Sequence, residues 1–129
     1  MKIPEGYLPV MPYLIVKDAT KFIDFAKAIL GASMRHETLR EQGVIMHAEL
    51  QIEQAVIMFC DATDTYPPRS AGMFLYLSDA DTIHEKAVAG GYNILTPLED
   101  RPYGRGFGFE DEWNNQWWIN TPPAETVAP

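Results

Sequence analysis

The chain says one thing twice. Pro12-Tyr-Leu-Ile-Val-Lys-Asp18-Ala-Thr-Lys-Phe-Ile-Asp-Phe-Ala26 returns as Met73-Phe-Leu-Tyr-Leu-Ser-Asp79-Ala-Asp-Thr-Ile-His-Glu-Lys-Ala87, at an offset of 61 residues (79 − 18). Leu14 maps to Leu75, Val16 to Leu77, Asp18-Ala19 to Asp79-Ala80 and Ala26 to Ala87. Each copy reads as a short apolar strand, an Asp able to cap a helix, and then the helix. A tandem repeat of about half the chain predicts two equivalent modules, and this narrows the fold more than any other feature.

In chain order, a lead-in over 1–9 precedes a strand over 10–16, and Asp18 opens a helix over 19–30 that Gly31 stops. Strands are predicted over 34–40, 44–52 and 55–60, with turns at Glu41-Gln42-Gly43 and Glu53-Gln54. Module one therefore spans 10–60 as βαβββ, and the Pro-containing stretch 61–71 reads as a linker. Module two, 72–121, begins at Gly72, places a helix over 81–89, and adds strands over 93–96, 105–110 and 116–120. Pro122-Pro123 opens a loose tail over 122–129. The expected fold is α+β, a single domain of two tandem βαβββ modules whose curved mixed sheets surround a cleft.

The formal charge of −8 argues against a nucleic-acid partner, which needs a basic face. No apolar run is long enough for a membrane span, and Met1-Lys-Ile-Pro lacks the apolar core of a signal peptide. The single Cys60 forms no internal disulfide and fits a reducing cytoplasm, the expected location.

Strand alternation assigns the faces. Leu14, Val16, Leu75, Leu77, Met46, Ala48, Leu50, Ile57, Phe59, Trp117 and Ile119 are expected beneath the helices. Met11, Tyr13, Ile15, Ile45, His47, Glu49, Val56, Met58, Cys60, Gly72, Phe74, Tyr76, Gln116, Trp118 and Asn120 then share the opposite face. That mixture of apolar, aromatic and a few polar side chains suits a ligand cleft.

Pro12-Tyr13-Leu14-x-Val16-x-Asp18-Ala19, His47-Ala48-Glu49-Leu50 and Asp79-Ala80-Asp81, set in paired βαβββ modules, resemble the vicinal oxygen chelate superfamily. This group contains glyoxalase I, extradiol dioxygenases, fosfomycin resistance enzymes and bleomycin resistance proteins. The PhnB-like branch is the nearest in pattern, and the resemblance covers about residues 4–121. It implies a cleft where the enzymes hold a divalent metal with His, Gln or Glu on the first and last strand of each module. Matched residue by residue, those positions fall on Met11, Met58, Gly72 and Trp118, none a donor for such an ion. The closing segment Asp111-Glu-Trp-Asn-Asn-Gln-Trp117 also departs from the branch's Asp-Pro-Phe-Gly-His-x-Trp, with Glu112, Asn114 and Asn115 at the Pro, Gly and His positions. No metal and no cofactor are expected. The resemblance also implies a homodimer whose second chain completes the cleft.

His47 and Glu49, two apart on a strand, share a face within reach of one metal or one ligand; they are the catalytic candidates, as a metal-holding pair, as an acid–base pair or as a hydrogen-bonded part of the cleft wall. His36 and His84 read as solvated, and Cys60 as an inert small hydrophobe. Gly104-Arg105-Gly106-Phe107-Gly108-Phe109 lacks the strand-to-helix context of a phosphate loop and reads as a cleft strand. Arg105 matches an Arg common in the PhnB-like branch and is either an anion partner or a surface ion pair with Glu110, Asp100 or Asp111. The ligand-binding set is Tyr13, His47, Glu49, Met58, Phe74, Tyr76, Arg105, Gln116, Trp118 and Asn120, with Trp118 stacking and Glu49 anchoring. The expected function is metal-free binding of a partly aromatic small molecule, as in bleomycin resistance proteins. The alternative is a glyoxalase-like lyase, isomerase or other enzyme using Glu49 and His47 with a non-standard or absent metal site. A third possibility is a cleft filled by its own side chains.

Overall fold

The computed structural model describes residues 1–125. The chain divides into two units after Ser70, and each carries one βαβββ module. In the first, β1 (Tyr13–Val16) is followed by α1 (Ala19–Leu30), β2 (Ser33–Leu39), β3 (Ile45–Ile52) and β4 (Ala55–Asp61). In the second, β5 (Gly72–Tyr76), α2 (Ala80–Ala89), β6 (Asn93–Arg101), β7 (Gly104–Glu110) and β8 (Gln116–Thr121) repeat that order. The sheets run β1-β4-β3-β2 and β5-β8-β7-β6. The β1–β4 and β5–β8 pairs are parallel and the others antiparallel, so the two mixed sheets share one topology.

The repeated Asp works as a cap in both copies. Asp18 accepts from the Lys21 amide at 3.2 Å, and Asp79 from the Thr82 amide at 3.1 Å and the Thr82 hydroxyl at 2.7 Å. The last strand of each module braces the same helix start, Asp61 accepting from the Ala19 amide and Thr121 from the Ala80 amide. Gly31, in the left-handed region at φ 67°, closes α1. Beneath α1, Phe22 meets Phe59 edge-on at 5.1 Å, with Leu14, Val16, Ala48 and Leu50 buried around them. In the second unit Phe107, Phe109, Trp117 and Ile119 are buried. Each buried Leu, Ile, Val or Phe among them contributes about 1.5–3 kcal/mol.

Several boundaries differ from the sequence reading. The first strand starts at Tyr13 rather than Val10, because Pro12 has no N–H to give the ladder and only its carbonyl is used, by the Met58 amide. Met46, expected beneath the helix, is exposed, since the β2–β3 ladder slips between Thr38 and Leu39 opposite it. β6 runs through Pro97 to Arg101, its register shifting around Thr96 to Glu99, where a short strand ending at Thr96 was expected. Part of the expected linker pairs with the sheet edge: Asp61 ends β4, and Arg69 exchanges backbone hydrogen bonds with Ile15. Of the expected tail, 126–129 lie outside the described residues.

Candidate functional site

The helix-free face of the first sheet carries a polar row. Tyr13 pairs with Met58, Met58 with Glu49, and Glu49 with His36, so one row crosses all four strands. His47 lies two residues from Glu49 and opposite Thr38. Its Nε2 stands 2.8 Å from Glu49 Oε2, and its Nδ1 3.3 Å from the Tyr13 hydroxyl. Tyr13 and His47 stack with centroids 5.7 Å apart. The expected His47–Glu49 contact therefore exists, with Tyr13 attached to it.

Three participants come from outside the expected set. Pro4-Glu5-Gly6-Tyr7 forms a tight turn, closed by the Tyr7 amide on the Pro4 carbonyl, with Gly6 at φ 85°. A Cβ on Gly6 would lie 2.7 Å from the Arg35 guanidinium, so the turn hugs that side chain. Arg35 donates to the Glu5 carbonyl, lies 4.6 Å over the Tyr7 ring, and brings Nε to 3.6 Å from Glu49 Oε1. The Tyr7 hydroxyl donates to the same oxygen at 2.6 Å. His36, expected to be solvated, is exposed but hydrogen-bonds Thr38 and faces the His47 ring at 6.2 Å. The β2 irregularity between Met34 and His36 brings Arg35 and His36 to this cluster together, which strict alternation would forbid.

Glu49 is buried, at 4% exposure, yet both its oxygens are engaged. Burial pushes its carboxyl up; the Tyr7 and His47 hydrogen bonds and the electrostatic pull of His47 and His36 outweigh that and hold it below the ordinary range. Burial and neighbouring Cys60 raise the Tyr13 phenol, which stays neutral. As a ligand anchor Glu49 is thus already occupied by the chain's own donors.

The second sheet has the same row with different chemistry. Phe74 pairs with Trp118, Trp118 with Gly108, and Gly108 with Thr96. Gly108 stands where the first sheet has Glu49, and a Cβ there would collide with Cζ3 and Cε3 of Trp118. One step along, a Cβ on Gly106 would collide with Asn120 Oδ1. The glycines thus let the indole and the amide lie flat on the strand. Phe74, Thr96, Arg101, Tyr103, Trp118 and Asn120 line a pocket of about 300 Å³. Phe74 and Tyr76 meet edge-on at 5.1 Å, both about half exposed, and Gln116 is exposed beside Gly72.

Arg105, expected in the ligand-binding set, does not join this group; of its two expected roles the structure shows the surface ion pair. It alternates with Gly104 and Gly106, so its guanidinium points to the α2 side and pairs with Asp81 at 2.6 Å and Asp100 at 3.3 Å. The cation on the pocket face is Arg101, which the sequence hides because Pro97 signals a strand end ahead of it. His84, also expected to be solvated, packs edge-on against Phe107 at 4.9 Å. The closing segment is structural: buried Asp111 accepts from the Trp113 and Asn115 amides, Asn115 Nδ2 and the Trp117 indole. Asn115 in turn accepts from the Ala71 amide.

The residues present do not fit the divalent metal of the superfamily's enzymes. Met58, Gly72 and Trp118 hold the expected ligand positions on β4, β5 and β8, and Met11 precedes β1. Among the described residues no group of three His, Cys, Asp or Glu side chains could hold an ion. None of the described helices is long and apolar enough to cross a membrane.

Comparison with known proteins agrees with this architecture. An uncharacterized protein of Mycobacterium tuberculosis is 27% identical over 126 residues, covering 88% of this chain and 74% of the relative. Among solved structures, TioX from a Micromonospora species superposes with TM-score 0.75 at 19% identity, covering 91% of this chain and all (100%) of that one. TnmS3, an antibiotic binding protein from a Streptomyces species, gives 0.66 at 20% identity, covering 91% and 100%. A PhnB protein from Bacillus cereus gives 0.66 at 16% identity, covering 88% and 99%. At these identities the structures share the fold alone. Residues 8–119 match the family described as the Glyoxalase/Bleomycin resistance protein/Dioxygenase superfamily, and the chain belongs to it.

Proposed function

We propose that this protein binds a flat, partly aromatic small molecule without a metal, on the pocket face of its second sheet. The observation that carries the reading is the Trp118 indole lying across Gly108, flanked by Phe74 and open to a pocket of about 300 Å³. A tryptophan is costly to leave partly exposed, and a strand that gives up two side chains to seat it and Asn120 builds a flat platform. Stacking on such a platform contributes about 0.5–1.5 kcal/mol per ring beyond area burial. The absence of hard-donor side chains at the four ligand positions removes the usual Lewis-acid site from this reading. That TnmS3, a protein of the same fold, is described as antibiotic binding is consistent with it.

The enzyme alternative has one observation in its favour, the hydrogen-bonded run Tyr13–His47–Glu49. Both Glu49 oxygens are nevertheless committed, to Tyr7 and His47, so the pair serves as a fixed wall of the first sheet rather than a base waiting for substrate. Titrating planar heteroaromatic compounds by calorimetry tests the main reading. Trp118→Ala is expected to weaken confirmed binders about ten-fold or more. Unchanged affinity in that variant would rule out the Trp118 platform.

A further inference from the structure

We propose that the ligand of the second sheet carries a carboxylate or similar anionic group at one end of its aromatic plane, held by Arg101; this rests on the aromatic-binding reading and supplies its charged end. Arg101 pairs with Gly104 at the end of β6, so it shares a face with Gly106, Gly108, Trp118 and Asn120. Among the described residues lining the pocket, it alone carries a full charge.

Its guanidinium is already oriented. Nη1 donates to the Gly106 carbonyl at 3.1 Å, and Nη2 donates to Glu99 Oε1 at 2.9 Å. Those bonds fix the plane while using two of the roughly five N–H groups an arginine offers. The side chain remains 23% exposed, so further donors are accessible from the pocket. A planar fork of this kind matches a carboxylate in two-point contact, and pre-orientation removes much of the entropy cost of forming it. Glu99 is 56% exposed and does not line the pocket, so it steadies Arg101 from the rim while competing weakly for it.

The chain's charge of −8 repels anions at long range, but such fields are screened beyond about 8 Å at physiological salt, and the local guanidinium decides. A pocket of about 300 Å³ is at the small end for ligand sites, which limits the aromatic part to one or two fused rings.

The experiment compares 2-naphthoic acid with 2-naphthamide, two probes of one shape and different charge, by calorimetric titration. The wild type should bind the acid about ten-fold or more tightly than the amide, the usual gain from a charge-assisted hydrogen bond. Arg101→Gln should bring the acid down to the level of the amide, with circular dichroism verifying the fold. Glu99→Gln, a change at an exposed rim position, should tighten the acid several-fold by removing its competitor. Equal binding of acid and amide by the wild type would overturn the anionic end and leave the aromatic reading standing. So would an acid preference that survives Arg101→Gln, or a Glu99→Gln variant that binds the acid no better. If the wild type binds neither probe, both inferences fall together.

Discussion

Tyr7→Phe isolates the contact that ties the N-terminal turn to the polar row of the first sheet. It deletes a hydroxyl donating to Glu49 Oε1 at 2.6 Å and leaves the ring against Arg35. A hydrogen bond to a charged group contributes about 1.5–3 kcal/mol; Tyr7 is only half-buried, so water partly replaces it and the expected loss is about 1–2 kcal/mol near neutral pH. The pH dependence gives a second handle. The folded chain holds the Glu49 carboxyl below its ordinary range, so its contribution is fully present above the unfolded value, about 4.3, and is lost as pH falls through the folded value. The Tyr7 hydroxyl is one of the groups holding it down, and removing it moves the folded value back up. The deficit of Tyr7→Phe should therefore be largest above about pH 5 and shrink as pH falls through the folded value, below which the protonated carboxyl accepts only a neutral bond. Urea unfolding should be followed by far-ultraviolet circular dichroism, because Trp113, Trp117 and Trp118 all lie in the second unit. A deficit that is absent at neutral pH, or that does not change with pH, would refute the account of how Glu49 is held.

Gly108→Ala should destabilise by about 1–3 kcal/mol in thermal melts, since its methyl would strike the Trp118 indole; an unchanged melt would mean the indole does not rest there. Elemental analysis after mild dialysis should find no stoichiometric zinc, nickel, iron, manganese or magnesium, and one tightly held ion per chain would contradict the donor argument. Light scattering at micromolar concentration is expected to give a homodimer; a strict monomer would exclude a second chain from completing the site.

Much of the fold was legible because the repeat was. The Asp caps, the α1 limits and the β1 and β5 faces all follow from short-range rules that act the same way in both copies. The site was legible where alternation held: Tyr13, His47, Glu49 and Met58 share a face, as do Phe74, Trp118 and Asn120. It was hidden wherever the ladder slipped. The irregularity between Met34 and His36 brings Arg35 to Glu49 from a position that strict counting sends elsewhere. Pro97 reads as the end of a strand, but β6 accommodates it with register shifts and delivers Arg101 to the pocket. Tyr7 left a local signal, the Pro4-Glu5-Gly6 turn, but its Arg35 and Glu49 contacts are tertiary and no local rule points to them.

The two rows explain why one scaffold carries two surfaces. Where Glu49 occupies the third strand, the fourth-strand neighbour is Met58, a slim flexible chain that leaves room for a carboxylate and its donors. Where the third strand has Gly108, the neighbour is Trp118, whose indole needs the very space that a Cβ would fill. The choice at one position constrains the other through packing alone. A polar network must be satisfied completely or it costs more than an apolar surface, so the first sheet recruits Tyr7, Arg35 and His47 around one carboxylate and leaves it little freedom. The aromatic row has no such requirement: Phe74 and Trp118 carry no charge to satisfy, and what they gain from a flat partner is burial. The first face closes on its own donors, and the second, with no carboxylate in its row, is the one proposed above to take a ligand.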